Sequence, residues 1–238
     1  MRGAAGVAQA TASRQGVRST RSFSGMRGFM ASRSADFASL LCSRLCHDML
    51  SPIGALNNGL ELLADETDPE MRAKCMELLA DSARASANKL KFFRLAFGAA
   101  GGFGEHVATE DARAVLDGLY ESGKIQLGWM VAEPTLPKNA IKVLLNLALI
   151  ASDALVRGGR LDVGAEGTEI VIRAEGPRLI LDPEIRNAAL GEADADLVSP
   201  RAAAAWLVHL LITEAGGKVQ ISEPEPGMLM IGVNLPQG

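Results

Sequence analysis

His47, Asp48, Ser51 and Pro52 fall within one short run, HDMLSP, inside a stretch whose apolar residues repeat at helical spacing. A neutral imidazole with a free lone pair on one ring nitrogen can attack a phosphoryl group. A carboxylate that accepts the proton on the other nitrogen fixes the tautomer and stabilises positive charge as it develops. Asp48 is a carboxylate of this kind beside His47, although successive helix residues do not face each other directly. Ser51, one turn on, offers a hydroxyl. Pro52 is the costly member, because inside a helix it removes a donor and crowds the carbonyl four residues back, at about 3 kcal/mol. That carbonyl belongs to Asp48.

His47 turns about 160° away from Met49 on the helix. Its row-mates Ser43, Ser51, Gly54 and Asn58 are small or polar, which leaves the imidazole in a clearing that another protein can approach. The plain alternative is an ordinary surface histidine. His106, in a glycine-rich segment, and His209, in an apolar helix, read that way, as solvated and packed respectively.

The element carrying HDMLSP is a helix from Ala35 to Leu63, with Cys42, Leu45, Met49, Ile53, Leu56, Leu60 and Leu63 as a near-heptad seam. ADETDPE breaks it, with Asp68 as an N-cap and Pro69 at the first position of a second helix running to about Phe97. Met71, Cys75 and Leu78, with Met76, Leu79, Ala83, Leu90, Phe93 and Phe97, give that second helix two adjacent apolar stripes. A stripe so wide needs more than one partner, so the expectation is an antiparallel hairpin that pairs with a second copy as a homodimeric four-helix bundle. GAAGGFGEH then reads as a linker, giving a tail or mis-called start over 1–34, a hairpin over 35–98, a linker over 99–106 and a C-terminal domain over 107–238. In that domain the pattern predicts helices at 110–121, 137–156 and 200–215. Strands are expected at 124–132, 160–165 and 168–174, with a closing hairpin of KVQIS and MLMIGVNLP. Antiparallel strands under helices make an α/β sandwich, and the chain as a whole is α+β.

Charge narrows the partners. Residues 1–34 hold six arginines and no acid, leaving 18 basic against 28 acidic residues in 35–238, a net charge of −10. That acidic body argues against nucleic acid, since phosphate neutralisation needs clustered Lys and Arg. No stretch reaches the roughly 20 apolar residues needed to span a bilayer, and no secretory signal opens the chain, so a cytoplasmic protein is expected. The Arg- and Ser-rich start also fits a transit peptide or a start codon called too early. Cys42, Cys46 and Cys75 show no zinc spacing and read as packed hydrophobes, with no metal on this chain.

HDMLSP on the first helix of a hairpin resembles the phosphoacceptor box of bacterial histidine kinases. LCSRLCHDMLSPIGALNNGLELL, with RLAFGAAG after the second helix, resembles more particularly the ChpT-type histidine phosphotransferases, over about residues 36–238. The resemblance implies that His47 takes a phosphoryl group from the aspartate of one receiver domain and passes it to another. The receivers would be those of a hybrid histidine kinase and of response regulators. It also implies that the C-terminal domain is related to the kinase ATP-binding domain. The nucleotide residues do not follow. Asn146 occupies the first of two asparagine positions, but Ile150 occupies the second, where Mg²⁺ would be held, and an alkane cannot coordinate a hard cation. In AEGPR, Ala174 and Arg178 replace an aspartate and a glycine, leaving Gly176. SPRAAAAWL stands where a glycine-rich lid is expected. No cofactor is therefore expected on this chain, with any Mg²⁺ belonging to the partner receiver.

An antiparallel hairpin turning near residue 67 sets residues 84–91 opposite His47, and these include Arg84, Asn88, Lys89 and Lys91. Receiver sites are acidic, so Arg44, Arg84 and Lys89 are the expected docking cations, with Arg44 first because it lies one turn from His47. Two other readings stay open: an ATP-dependent kinase with an atypical pocket, and a non-enzymatic dimeric adaptor that binds receivers.

Overall fold

Asp68 and Pro69 start the second helix in the manner their types allow. The computed structural model describes residues 20–98, 104–121, 123–222 and 227–236. In it, helix α1 (Thr20–Asp65) turns through residues 66–68 into helix α2 (Pro69–Ala96). The Asp68 carboxylate accepts from Met71 N at 3.1 Å, and Pro69 fills the first turn, where no N–H is needed. Arg72 crosses the turn and donates to Leu63 O at 3.1 Å and Glu66 O at 2.7 Å, satisfying a carbonyl that the end of α1 leaves without a helical partner.

The helix opens at Thr20 rather than Ala35, within the stretch read from its composition as a tail. Phe23, Met26 and Met30 recur there at helical spacing, and no proline intervenes before Pro52. Residues 1–19 and most of the glycine-rich segment, 99–103, lie outside the described residues. The chain divides into two compact units, Met1–Ala38 and Ser39–Gly238.

The single seam expected on α1 resolves into two stripes. Met49, Pro52 and Gly59 are buried, with Leu45, Leu56 and Leu63 half-buried on the same face. Gly59 permits close approach of α2, since a Cβ there would lie 2.9 Å from Leu79 Cδ2. Cys42, Cys46, Leu50, Ile53 and Leu60 lie on the neighbouring face and are exposed in the single chain. The expectation that Cys42 and Cys46 are packed therefore fails for the isolated chain: both ride the stripe that α2 does not cover, and only Cys75 is buried. On α2, Met71, Met76, Leu78 and Leu90 are likewise exposed.

Pro52 does not break α1. The Asp48 carbonyl that it deprives of a backbone donor accepts instead from Lys89 Nζ, at 2.8 Å across the hairpin. One bond thus compensates the proline and sets the register of the two helices.

After the hairpin come β1 (His106–Ala108), α3 (Thr109–Tyr120), β2 (Ile125–Val131), β3 (Thr135–Pro137) and α4 (Lys138–Ala154). These are followed by β4 (Gly159–Glu166), β5 (Glu169–Glu175), α5 (Pro183–Leu190), α6 (Ala203–Glu214), β6 (Lys218–Ile221) and β7 (Met228–Asn234). The main sheet has the order β2-β4-β5-β7-β6, and β1 pairs with β3 separately. Most pairs are antiparallel, as expected, but β2 and β4 run parallel. The reason is α4: a strand, a helix and a strand in succession form a crossover unit, whose strands must be parallel. Period-two alternation turns Leu161, Val163 and Ala165 of β4, Ile170, Ile172 and Ala174 of β5, and Leu229, Ile231 and Val233 of β7 inward. Val163, Ile172 and Ile231 stand side by side across three strands. The expected helix at 200–215 divides into a 3-10 turn at Pro200–Ala202 and α6, and α5 was not expected at all. Phe92, Phe93, Leu95 and Ala96, at the end of α2, join the same core as α3 and α4. The hairpin is thereby fixed to the sheet domain.

Lys89→Met should lower stability by about 1–2 kcal/mol, the net worth of a hydrogen bond from a charged donor. In a Pro52→Ala background, where a backbone N–H returns to the Asp48 carbonyl, the same substitution should cost much less. Urea titration of the four-member cycle measures that coupling, and equal costs in both backgrounds would show that Lys89 does not compensate the proline.

Candidate functional site

His47 projects from α1 with its side chain 83% exposed, and Nδ1 lies 3.2 Å from Asp48 Oδ1. The sequence neighbours meet because the other carboxylate oxygen is anchored. Arg44, one turn earlier, donates from Nε to Asp48 Oδ2 at 2.8 Å. Its remaining nitrogens reach out of the hairpin: Nη2 donates to Asp153 Oδ2, near the end of α4, at 2.7 Å. Nη1 donates to Arg201 O, in the turn before α6, at 3.1 Å. The Arg44 side chain is only 10% exposed. Burial works against its charge, but the pairs with Asp153 and Asp48 outweigh it, leaving its pKa above the ordinary arginine value. With Ser43, His47, Ser199 and Pro200 these groups line a cleft of about 570 Å³ open beside the imidazole.

The structure brings His47 and Asp48 together as the sequence implies. Ser51 is exposed on the same helix, but the imidazole is bonded by Asp48 and not by its hydroxyl. The three cations expected to greet a partner are placed otherwise. Arg44 is buried in the bridge just described, because an acid at i+4 and another on α4 compete for it ahead of solvent. Lys89 is spent on the Asp48 carbonyl. Arg84 is exposed but paired with Asp81 on its own helix and, at 3.6 Å, with Glu121. Nearby, Asn88 donates to Gly118 O at 2.9 Å and ties α2 to α3. Sequence reasoning missed Asp153. It is the lone acid of α4, and its partner lies 109 residues away, beyond the reach of any local pattern.

Of the residues compared above with a nucleotide-binding pattern, Asn146, Ile150 and Ala174 are engaged in packing, while Arg178 is exposed. Asn146 is fully buried, and its Nδ2 donates to Ala96 O at 3.1 Å and Lys142 O at 2.8 Å, tethering the end of α2. Ile150 and Ala174 are buried in the core. A Cβ on Gly176 would lie 2.6 Å from Gly158 O, so this glycine admits a neighbouring loop. His209 is half-buried 5.0 Å from Trp206, its pKa lowered by burial, away from the cleft. Among the described residues no cluster of three or more His, Cys, Asp or Glu could hold a metal ion. No helix among them is long and apolar enough to cross a membrane.

Comparison with known proteins gives the family of the chain. The family model of the histidine phosphotransferase C-terminal domain matches residues 109–227. A protein phosphotransferase ChpT of Brucella abortus (strain 2308) is 40% identical over 190 residues, covering 78% of this chain and 90% of the relative. A solved structure described as a bacterial phosphotransferase superposes with a TM-score of 0.74 at 37% identity, covering 84% of this chain and 96% of the other. The chain, with its helical hairpin followed by a sheet-and-helix domain, belongs to the histidine phosphotransferase family of the ChpT type.

Proposed function

We propose that this protein is the histidine phosphotransferase of a phosphorelay, accepting a phosphoryl group on His47 from one receiver-domain aspartate and delivering it to another. The observation that carries this is an exposed imidazole whose Nδ1 faces a fixed carboxylate. With the proton held on Nδ1, Nε2 keeps its lone pair and points to solvent. Attack on phosphorus forms the N–P bond as the P–O bond to the receiver carboxylate breaks, and the charge gained by the ring lies against Asp48. Because the imidazole is not enclosed, a receiver can approach it and leave with the phosphoryl group. The cleft toward Ser199 and Pro200 is the surface beside it on which a receiver can rest.

ATP has no part in this reading. Ile150 and Ala174 are apolar and packed, and Asn146 is bonded to backbone, so they do not suit a triphosphate and its cation. Mg²⁺ is assigned to the receiver's acidic pocket, since His47 has no carboxylate cluster beside it. Dimerisation follows from the exposed stripe of Leu50, Ile53 and Leu60, with Met76 and Leu90 on α2, which a second hairpin would cover as a four-helix bundle in the cytoplasm.

His47→Gln should abolish labelling of the protein by a phosphorylated receiver while helicity and oligomeric state stay as they were. Asp48→Asn should slow transfer on the order of a hundredfold. Undiminished labelling of the glutamine variant would remove His47 from this role, whereas a wild-type protein that binds a phosphorylated receiver without becoming labelled would favour an adaptor. Titration calorimetry with Mg·ATP should give no saturable heat, whereas autophosphorylation by ATP would restore the kinase reading. Ile53→Glu or Leu60→Glu should yield monomers in sedimentation, because an unpaired charge in a bundle core is costly. A monomeric wild-type protein at micromolar concentration would contradict the bundle.

A further inference from the structure

Asp48 must present its carboxylate to an imidazole one residue away, on a helix that sets successive side chains about 100° apart. A free aspartate there would sample several rotamers, few of which reach the ring. Its two fixed points are Lys89 Nζ on its carbonyl, at 2.8 Å, and Arg44 Nε on Oδ2, at 2.8 Å. The Arg44 fork is in turn held outside the hairpin by Asp153, at 2.7 Å, and by the Arg201 carbonyl, at 3.1 Å. A guanidinium is planar and rigid, so fixing two of its nitrogens aims the third.

We propose that Asp153 and Arg44 are positioning residues for phosphoryl transfer: Asp153 holds Arg44, Arg44 holds Asp48, and Asp48 keeps the His47 proton on Nδ1, leaving Nε2 as the nucleophile. The proposal rests on the reading of His47 as phosphoacceptor. It gives the C-terminal domain a task in the reaction that needs no nucleotide, because α4 supplies the outer end of the bridge. The balance of the step is unchanged by it: Nε2 gives its electron pair to phosphorus, the receiver carboxylate departs with the electrons of the P–O bond, and the proton stays on Nδ1. What the bridge governs is the fraction of molecules in which that lone pair is available.

The test uses the full chain labelled with ¹⁵N, in wild-type form and as Asp153→Asn and Arg44→Lys. Asp153 is 40% exposed, so the isosteric asparagine should be tolerated, and lysine keeps the charge of Arg44 but, as a single point of charge, cannot reproduce the planar fork that spans the three acceptors. Long-range ¹H–¹⁵N correlation at a pH where the ring is neutral reads the His47 tautomer directly. Wild type should show the proton on Nδ1, and both variants should shift toward Nε2–H. Transfer from a phosphorylated receiver should fall on the order of tenfold in maximum rate, less than loss of a direct acid–base group would cost. The half-saturating receiver concentration should be unchanged. A tautomer and a maximum rate that both variants share with wild type would reduce the bridge to a structural strut, and full activity of Arg44→Lys would exclude bridging. Persistent labelling of His47→Gln would overturn the phosphoacceptor reading instead, and the tautomer measurement would still decide the bridge.

Discussion

The Arg44 guanidinium is held almost out of water between the Asp48 and Asp153 carboxylates, and it joins α1, α4 and the turn before α6. Taking such a charge out of water costs several kcal/mol, which only well-formed pairs and hydrogen bonds offset. Here three acceptors share one rigid fork, so the compensation requires all three elements to be in place. Without the guanidinium, Asp48 and Asp153 would be left as like charges near each other, one of them largely buried. The bridge is a conditional contact, favourable only in the assembled arrangement, and that arrangement is the one that faces Asp48 toward His47.

The proline poses the same problem on the backbone. Pro52 leaves the Asp48 carbonyl without its helical donor, and a helix so interrupted commonly kinks. Lys89 meets that carbonyl from the opposite helix, and α1 continues through the site. The residue beside the imidazole is thus held twice by cations, on its carboxylate by Arg44 and on its main chain by Lys89. The vacancy that Pro52 creates is the socket for a cross-hairpin bond.

Much of this was legible in the residues. Asp68 and Pro69 mark a helix start whose chemistry is local, and period-two alternation in β4, β5 and β7 reports a sheet with one buried face. HDMLSP places His47 and Asp48 together because its members lie within two helical turns of one another. What was misread depended on partners distant in sequence. The heptad seam merged the face that meets α2 with the face left exposed, since both are apolar and lie side by side on α1. The parallel pairing of β2 and β4 was lost because alternation reports burial and is silent on strand direction. Arg44, Arg84 and Lys89 were expected as docking cations, and their pairings went unread, although Arg44–Asp48 at i,i+4 and Arg84–Asp81 at i,i+3 are spacings at which helix side chains meet. The link to Asp153 crosses more than a hundred residues, and no local pattern encodes it.

The core of the sheet domain carries the outer end of the bridge to its place. Ile150 and Ala174 bring apolar volume where a polar pocket would need space, and Asn146 turns its amide to backbone carbonyls at the end of α2. Phe92, Phe93, Leu95 and Ala96 insert into the same core, so α4 and α2 are locked together, and Asp153 is carried on α4 to the place where Arg44 can reach it. A phosphohistidine relay needs no bound cofactor. It needs an imidazole open to visiting proteins, a proton kept on the far nitrogen, and a scaffold stiff enough to keep both while partners come and go. The packed core of the sheet domain supplies that stiffness, and through Asp153 and Arg44 it reaches the Asp48 carboxylate.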